Sequence, residues 1–274
     1  MLHDPLSLGL LALALLSAGV LAGLIAGLLG VGGGIVIVPV LYHLFGLIGL
    51  GEDVRMHVAV GTSLASIILT STSSIRAHLQ RDAVDKDLLR SWAPAIVAGV
   101  IAGTVLAGAA RGQVLTALFA TMAMLVAVNM TFMPANLRVS DHLPSGVVKH
   151  TLGMLIGGIS AMMGIGGGTL TVPTLVLCDY PIRRAVGTAS AIGFIIAIPG
   201  TLGFMAGGWG TEGLPAFSLG YVNFLGLALI APTSMAMAPV GAKLAHTIDP
   251  RRLKQAFAVF LMLTSARMFH GLLF

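Results

Sequence analysis

The residues best suited to chemistry are two glycine triplets, each with a proline five residues on. Gly32, Gly33 and Gly34 stand in the run Gly30-Val-Gly-Gly-Gly-Ile-Val-Ile-Val-Pro39. Gly166, Gly167 and Gly168 stand in Gly164-Ile-Gly-Gly-Gly-Thr-Leu-Thr-Val-Pro173. Both runs lie inside long apolar stretches. Glycine weakens a helix and bares its backbone. In a membrane, bare backbone is tolerated only where protein covers it or a watery cavity meets it. Free N–H groups beside a helix start form a positive concavity suited to a small anion. Small residues also serve tight helix packing, and one triplet alone would be read that way. Two triplets at matching places in two halves of a chain favour a transporter's binding site. Proline suits the first helical turn. Pro39 and Pro173 are therefore each expected to open a short helix, with Ile35–Val38 and Thr169–Val172 extended before them.

Hydroxyls supply the second set of candidates. Thr62, Ser66, Thr70 and Ser73 recur at i, i+4, i+8 and i+11, which is one helical face. A polar face in a membrane packs on other helices or lines a cavity. Hydroxyls bonded back to their own helix are an equal alternative, except at Thr62 and Thr188, which occupy matching places in the two halves. The candidate donors to an anion are Thr62, Ser63, Ser66, Thr188, Ser190 and Thr169.

The ten acidic residues all lie in loops or near a terminus, from Asp4 to Asp249. No carboxylate falls mid-membrane. That argues against cation or metal transport and against a carboxylate proton relay, and it suits an anionic substrate. Arg76 and Arg267 come closest to span interiors, where long side chains snorkel to the interface. His57, His78, His150 and His270 sit at span ends and read as interfacial; His43 lies deeper. No Gly-x-Ser-x-Gly elbow or His–Glu metal motif appears, so no enzyme is indicated. The glycine runs lack the Gly-x-Gly-x-x-Gly spacing of a dinucleotide site. No cofactor is called for.

These residues need a membrane scaffold to hold them. The chain has 274 residues, 57% hydrophobic and 9% charged, whereas a soluble domain carries about 25% charged residues. From Pro5 to Gly51 there are 47 residues without Asp, Glu, Lys or Arg. As one helix they would reach about 70 Å, over twice the hydrocarbon thickness of about 30 Å. The N-terminus does not read as a secretory signal, since Asp4 is the only charge before the apolar run. Cys178 is the single cysteine, which excludes an internal disulfide. The net charge of +5 resides in short loops, where membrane topology accounts for it without nucleic acid.

The chain repeats. Gly30–Pro39 matches Gly164–Pro173 at an offset of 134, Ala59–Thr62 matches Ala185–Thr188 at 126, and Ala93-Pro94 matches Ala231-Pro232 at 138. Order and register hold across the chain. Each half reads as a Gly-broken, re-entrant-like helical hairpin plus three spans. The spans fall near 57–76, 90–110 and 112–133, then near 184–205, 219–241 and 252–272. The divisions are residues 1–133 as repeat 1, 134–146 as a cytoplasmic linker, and 147–274 as repeat 2.

The loops at 76–90, 134–150, 181–184 and 243–254 carry 12 of the 15 Lys and Arg residues. The positive-inside rule puts them in the cytoplasm. Loop 76–90 then corresponds to the Lys- and Arg-free loop 206–218, on the other side. The repeats are expected to be inverted, with both termini external. The second hairpin has only the charge-free run Thr151–Cys178, about 42 Å if fully helical and short of two crossings. The first has length enough to leave two full crossings open.

The glycine–proline runs, Val60-Gly-Thr-Ser63, Val186-Gly-Thr188 and the stretch from Ala231-Pro to Phe257 together resemble the sulfite exporter TauE/SafE family, also called the toluene sulfonate uptake permease family. His78-Leu-Gln-Arg81 with Val84-Asp85, and Leu244-Ala-His246 with Pro250-Arg-Arg-Leu253, are similar to its loops. The resemblance covers nearly the whole chain. It implies an all-α multi-pass transporter in a bacterial-type inner membrane, moving sulfite, sulfonates or related sulfur anions, mostly outward. Alternating access would rock one repeat against the other. A coupling ion would be H⁺, carried by the substrate or a histidine. A passive anion channel and an uptake permease for a related sulfur compound or other organic anion are the alternatives. The second run carries Thr169 and Thr171 where the first has Ile35 and Ile37, so the two halves of the site are expected to differ in polarity.

Overall fold

The 47-residue charge-free run folds as two helices of unequal length. In the computed structural model, which describes residues 5–29, 33–132, 140, 143–244 and 250–273, α1 spans Pro5–Leu29 and α2 spans Gly34–Leu47. The second Gly-broken segment does the same, with α6 at Gly146–Met163 and α7 at Gly168–Leu177. At 1.5 Å per residue, α2 and α7 reach only about 21 and 15 Å. Neither crosses roughly 30 Å of hydrocarbon as a helix. Each hairpin is therefore one long helix and one short one, joined at the glycines. The double crossing left open for the first hairpin does not occur.

Three long helices follow each hairpin. They are α3 (Glu52–Leu79), α4 (Lys86–Ala109) and α5 (Gly112–Phe132), then α8 (Ile182–Gly207), α9 (Phe224–Leu244) and α10 (Pro250–Leu273). A helix stands at each of the six expected spans. α3 starts five residues early, and α9 starts five residues late, because β1 (Ser218–Leu219) and β2 (Val222–Asn223) pair as a small antiparallel hairpin. Leu219, Tyr221 and Val222 read as the start of the helix in the sequence, and Gly220 at φ +54° turns the chain instead. Among the described residues, six helices are long and apolar enough to cross a membrane: α3, α4, α5, α8 and α9 of the expected spans, and α6 of the second hairpin. Exposed Leu13, Ile101, Val105, Leu106, Leu202 and Leu263 add the apolar exterior that lipid requires.

Helix pairing crosses between the halves. α1 lies along α9 and α6 along α4, while α3 meets α8 and α5 meets α10. Without a hydrophobic drive between helices in lipid, small residues and close packing must hold such pairs. Gly23 of α1 packs on Ser234 of α9, and Gly157 of α6 packs on Ile96 of α4. Gly241 packs on Leu24, and Gly103 on Gly158. Each contact maps onto its fellow by offsets of 134 and 138, the offsets of the sequence repeat. The core lies around α3, where Met56, Leu64 and Ile67 are fully buried with Ile35 and Ile37 of α2.

Candidate functional site

Each hairpin breaks at a glycine in the left-handed region. Gly33 has φ +73° and caps α2; Gly167 has φ +71° and caps α7. Other residues pay about 1–2 kcal/mol for that conformation. Gly32 lies outside the described residues. The helices open at once. The N–H groups of Val36 and Ile37 donate to the Gly33 carbonyl at 3.0 and 3.1 Å, and those of Leu170 and Thr171 to the Gly167 carbonyl at 3.1 and 2.8 Å. The N–H groups of Gly34, Ile35, Gly168 and Thr169 meet no backbone acceptor among the described residues.

The expected extended stretches are therefore helical. Ile35–Val38 and Thr169–Val172 form the first turns of α2 and α7, and Pro39 and Pro173 lie inside those helices. The left-handed glycine cap redirects the chain and starts the helix before the proline is reached. The prolines have a different consequence. Each lacks the N–H that would bond the carbonyl four residues back, so the Ile35 and Thr169 carbonyls lose their usual helical partner.

The two breaks touch. A Cβ on Gly34 would strike the Gly164 carbonyl and come within 3.1 Å of Ile165 Cα. Ser63 of α3 donates to that same Gly164 carbonyl at 2.7 Å. Gly166 carries its carbonyl against Gly193 of α8, and Gly168 is buried at the start of α7. The second break is the polar one. The hydroxyls of Thr169, Thr171 and Ser160 are all buried and have no partner among the described residues. A buried hydroxyl without a partner costs about 1–3 kcal/mol, and such groups call for an explanation. At the matching places the first break has Ile35, Ile37 and Ala26.

The remaining candidate hydroxyls are already engaged. Ser66 donates to the Ser63 carbonyl at 2.7 Å and Ser190 to the Val186 carbonyl at 3.0 Å, while Ser74 donates to Ser190 at 3.1 Å. Thr62 accepts from the backbone N–H of Asn223, and Thr188 accepts from that of Asp85, both at 2.9 Å. These two bonds are one motif used twice. Asp85 caps α4, accepting from the N–H groups of Asp87 and Leu88 at 3.1 and 3.0 Å. Asn223 stands 138 residues on, before α9, and accepts from the N–H of Gly226 at 2.8 Å. Each cap is thus held by a threonine from the other half of the chain.

The two locks differ in charge. Asp85 also accepts from the Tyr180 hydroxyl at 2.5 Å and from Arg184 at 3.1 Å. The Leu88 N–H, then Tyr180, then Arg184 hold the Asp85 carboxyl below its usual range. Burial and the neighbouring carboxylate push Tyr180 up to about 12. Asn223 is neutral and bonds the Ala216 carbonyl and Ser218 at 2.9 and 3.0 Å. Sequence reasoning passed over Asp85 and Asn223 as site residues. The signal was present, since the offset that aligns Ala93-Pro94 with Ala231-Pro232 also aligns these two.

His57 is buried within the protein near the start of α3. It is 2% exposed, stacks 4.8 Å from the Tyr221 ring and bonds the Ala107 carbonyl at 2.9 Å. It stands five residues into α3 and packs on protein. Arg76 and Arg267 are exposed. No group of three or more His, Cys, Asp or Glu that could hold a metal occurs among the described residues. A cavity of about 140 Å³ opens between α1, α3, α8 and α9 and reaches Gly166.

Comparison with known proteins follows this geometry. A family model described as sulfite exporter TauE/SafE matches residues 15–268. A probable membrane transporter protein of Haemophilus influenzae is 32% identical, over 93% of this chain and 96% of that one. One from Methanocaldococcus jannaschii is 26% identical over 88% of each chain. One from Bacillus subtilis is 24% identical over 92% of this chain and 95% of its own. No solved structure matches at a significant level.

Proposed function

The chain belongs to the sulfite exporter TauE/SafE family of membrane transporters, and from that premise we propose that it exports a small sulfur-containing oxyanion such as sulfite or an organosulfonate. The substrate sits at the second glycine break. The observation that carries this reading is the buried, unpartnered hydroxyls of the second hairpin, Thr169 and Thr171 in the first turn of α7 and Ser160 in α6. A helix N-terminus with open N–H groups favours an anion, and hydroxyls adapt to either bond direction. The Thr169 carbonyl freed by Pro173 adds an acceptor beside those donors. An oxyanion that carries its own proton uses both, so H⁺ can travel on the substrate without a buried carboxylate.

The transport cycle is alternating access by two inverted repeats. The exchange of contacts at the repeat offsets supports a pseudo-two-fold relation, and the loop charges support its inversion. Thr188–Asp85 closes the cytoplasmic end and Thr62–Asn223 the external end. One lock opens while the other holds, and the touching glycine breaks part on the open side. Thr169→Val tests the site. Counterflow of labelled sulfite in proteoliposomes should fall at least about tenfold, the equivalent of roughly 1.4 kcal/mol in binding. Wild-type counterflow in that variant removes Thr169 from the site.

A further inference from the structure

The 140 Å³ cavity holds more than the edge of the glycine break. Its surface is mostly apolar, with hydroxyls set into it: Thr70, Ser71, Ser73 and Ser74 from the later turns of α3, and Ser190 from α8. Ala238 and Pro239 of α9 close the third side. His78, Arg81 and Gly166 line it as well. No Asp or Glu among the described residues lines it. Ser71 is 3% exposed and makes no hydrogen bond among the described residues. Arg81 is exposed, with no ion-pair partner among the described residues. Its charge reaches His78. The volume suits a small ion, well below the roughly 300–1,000 Å³ of drug-sized sites.

A fixed cation over a narrow, low-dielectric cavity focuses potential and raises the local concentration of counter-ions. Neutral hydroxyls on the walls then solvate the anion without holding it. We propose that this cavity is a second anion site, a cytoplasmic antechamber in which Arg81 gathers a small oxyanion and the hydroxyls pass it to Gly166. The proposal rests on the reading that the substrate is an anion bound at the second break. It adds residues that the break does not contain, and it accounts for the hydroxyls of α3 beyond Thr70. The hydroxyl bond from Ser74 to Ser190 spans the cavity wall, so the site sits where α3 and α8 meet, beside the Thr188–Asp85 lock. Opening that lock widens the same cavity.

Charge-selective labelling tests the antechamber without requiring the substrate's identity. Ser73→Cys is introduced with Cys178→Ser, which leaves one thiol on the cavity wall. Inside-out membrane vesicles are treated with (2-sulfonatoethyl) methanethiosulfonate, an anion, or its 2-trimethylammonioethyl counterpart, a cation. Each rate is divided by that reagent's rate with a free thiol. The expected ratio favours the anionic reagent by about fivefold, as a focused positive potential requires. Arg81→Gln should bring the ratio close to one, as should high salt. A ratio of one or less, a ratio unchanged by Arg81→Gln, or no labelling by either reagent overturns the proposal. Ser71→Cys gives the same comparison if Ser73→Cys does not fold. Thr169→Val separates the two readings: it should abolish sulfite counterflow and leave the labelling ratio intact. Normal counterflow in that variant with a ratio of five removes the break site and keeps the antechamber.

Discussion

Thr169 shows how a single hydroxyl separates stability from function. It is 4% exposed and its oxygen has no partner among the described residues. Thr169→Val keeps the shape and removes the stranded polar atom. Thermal unfolding in detergent should show a protein as stable as the parent, or more stable by up to about 1 kcal/mol. A clear loss of stability would mean that the hydroxyl is bonded within the fold and not reserved for a ligand. Gly33 and Gly167 make poorer probes, although the sequence singles them out. Any side chain there meets a left-handed backbone, and a Cβ on Gly167 would also crowd Ile196. Lost transport in those variants would confuse backbone strain with a lost site.

At the element scale, the proposed cycle turns on the two threonine bonds that hold the caps. Thr62→Val strands the buried Asn223 N–H, and Thr188→Val strands that of Asp85. Each should weaken its own end by about 1 kcal/mol. Single cysteines on either side should then show opposite shifts in accessibility, with Thr188→Val favouring the cytoplasm-open state. Shifts in the same direction would contradict the assignment of the locks to opposite ends. The Asp85 lock also carries a pH signature. Its carboxyl is held low in the folded chain, so it contributes above the ordinary carboxylate range and loses that contribution as pH falls through its lowered value. Cytoplasm-side accessibility should stay flat down to about pH 5 and rise only below it. Asp85→Asn should remove that acid-side rise.

Much at this scale was legible before any coordinates. Glycine triplets fixed both breaks, and uncharged apolar lengths fixed six spans. The misses have physical causes. Pro39 and Pro173 pointed to helix starts, but a left-handed glycine cap takes effect earlier in the chain. The hairpin at Ser218–Asn223 is only six residues long, and its Leu219, Tyr221 and Val222 run on into the apolar stretch that follows, which hides the turn at Gly220. Thr62 and Thr188 stood out because they repeat. Their partners are backbone N–H groups, which carry no residue signature.

The whole molecule is a family member whose two halves exchange partners across their interface. α1 lies on α9 as α6 lies on α4. An inverted arrangement with basic loops in the cytoplasm requires both termini outside. Membrane-impermeant labelling of single cysteines at each end of intact cells should therefore succeed, and protection of either terminus would rule out the inversion. The central claim is saturable carriage of a sulfur oxyanion by that symmetric pair of hairpins. Its most direct measurement is counterflow of labelled sulfite into proteoliposomes preloaded with unlabelled sulfite, for the parent chain and Thr169→Val. The account predicts transient, saturable accumulation in the parent and none in the variant. Non-saturating flux without accumulation, equal in both, would mark a passive channel and contradict it.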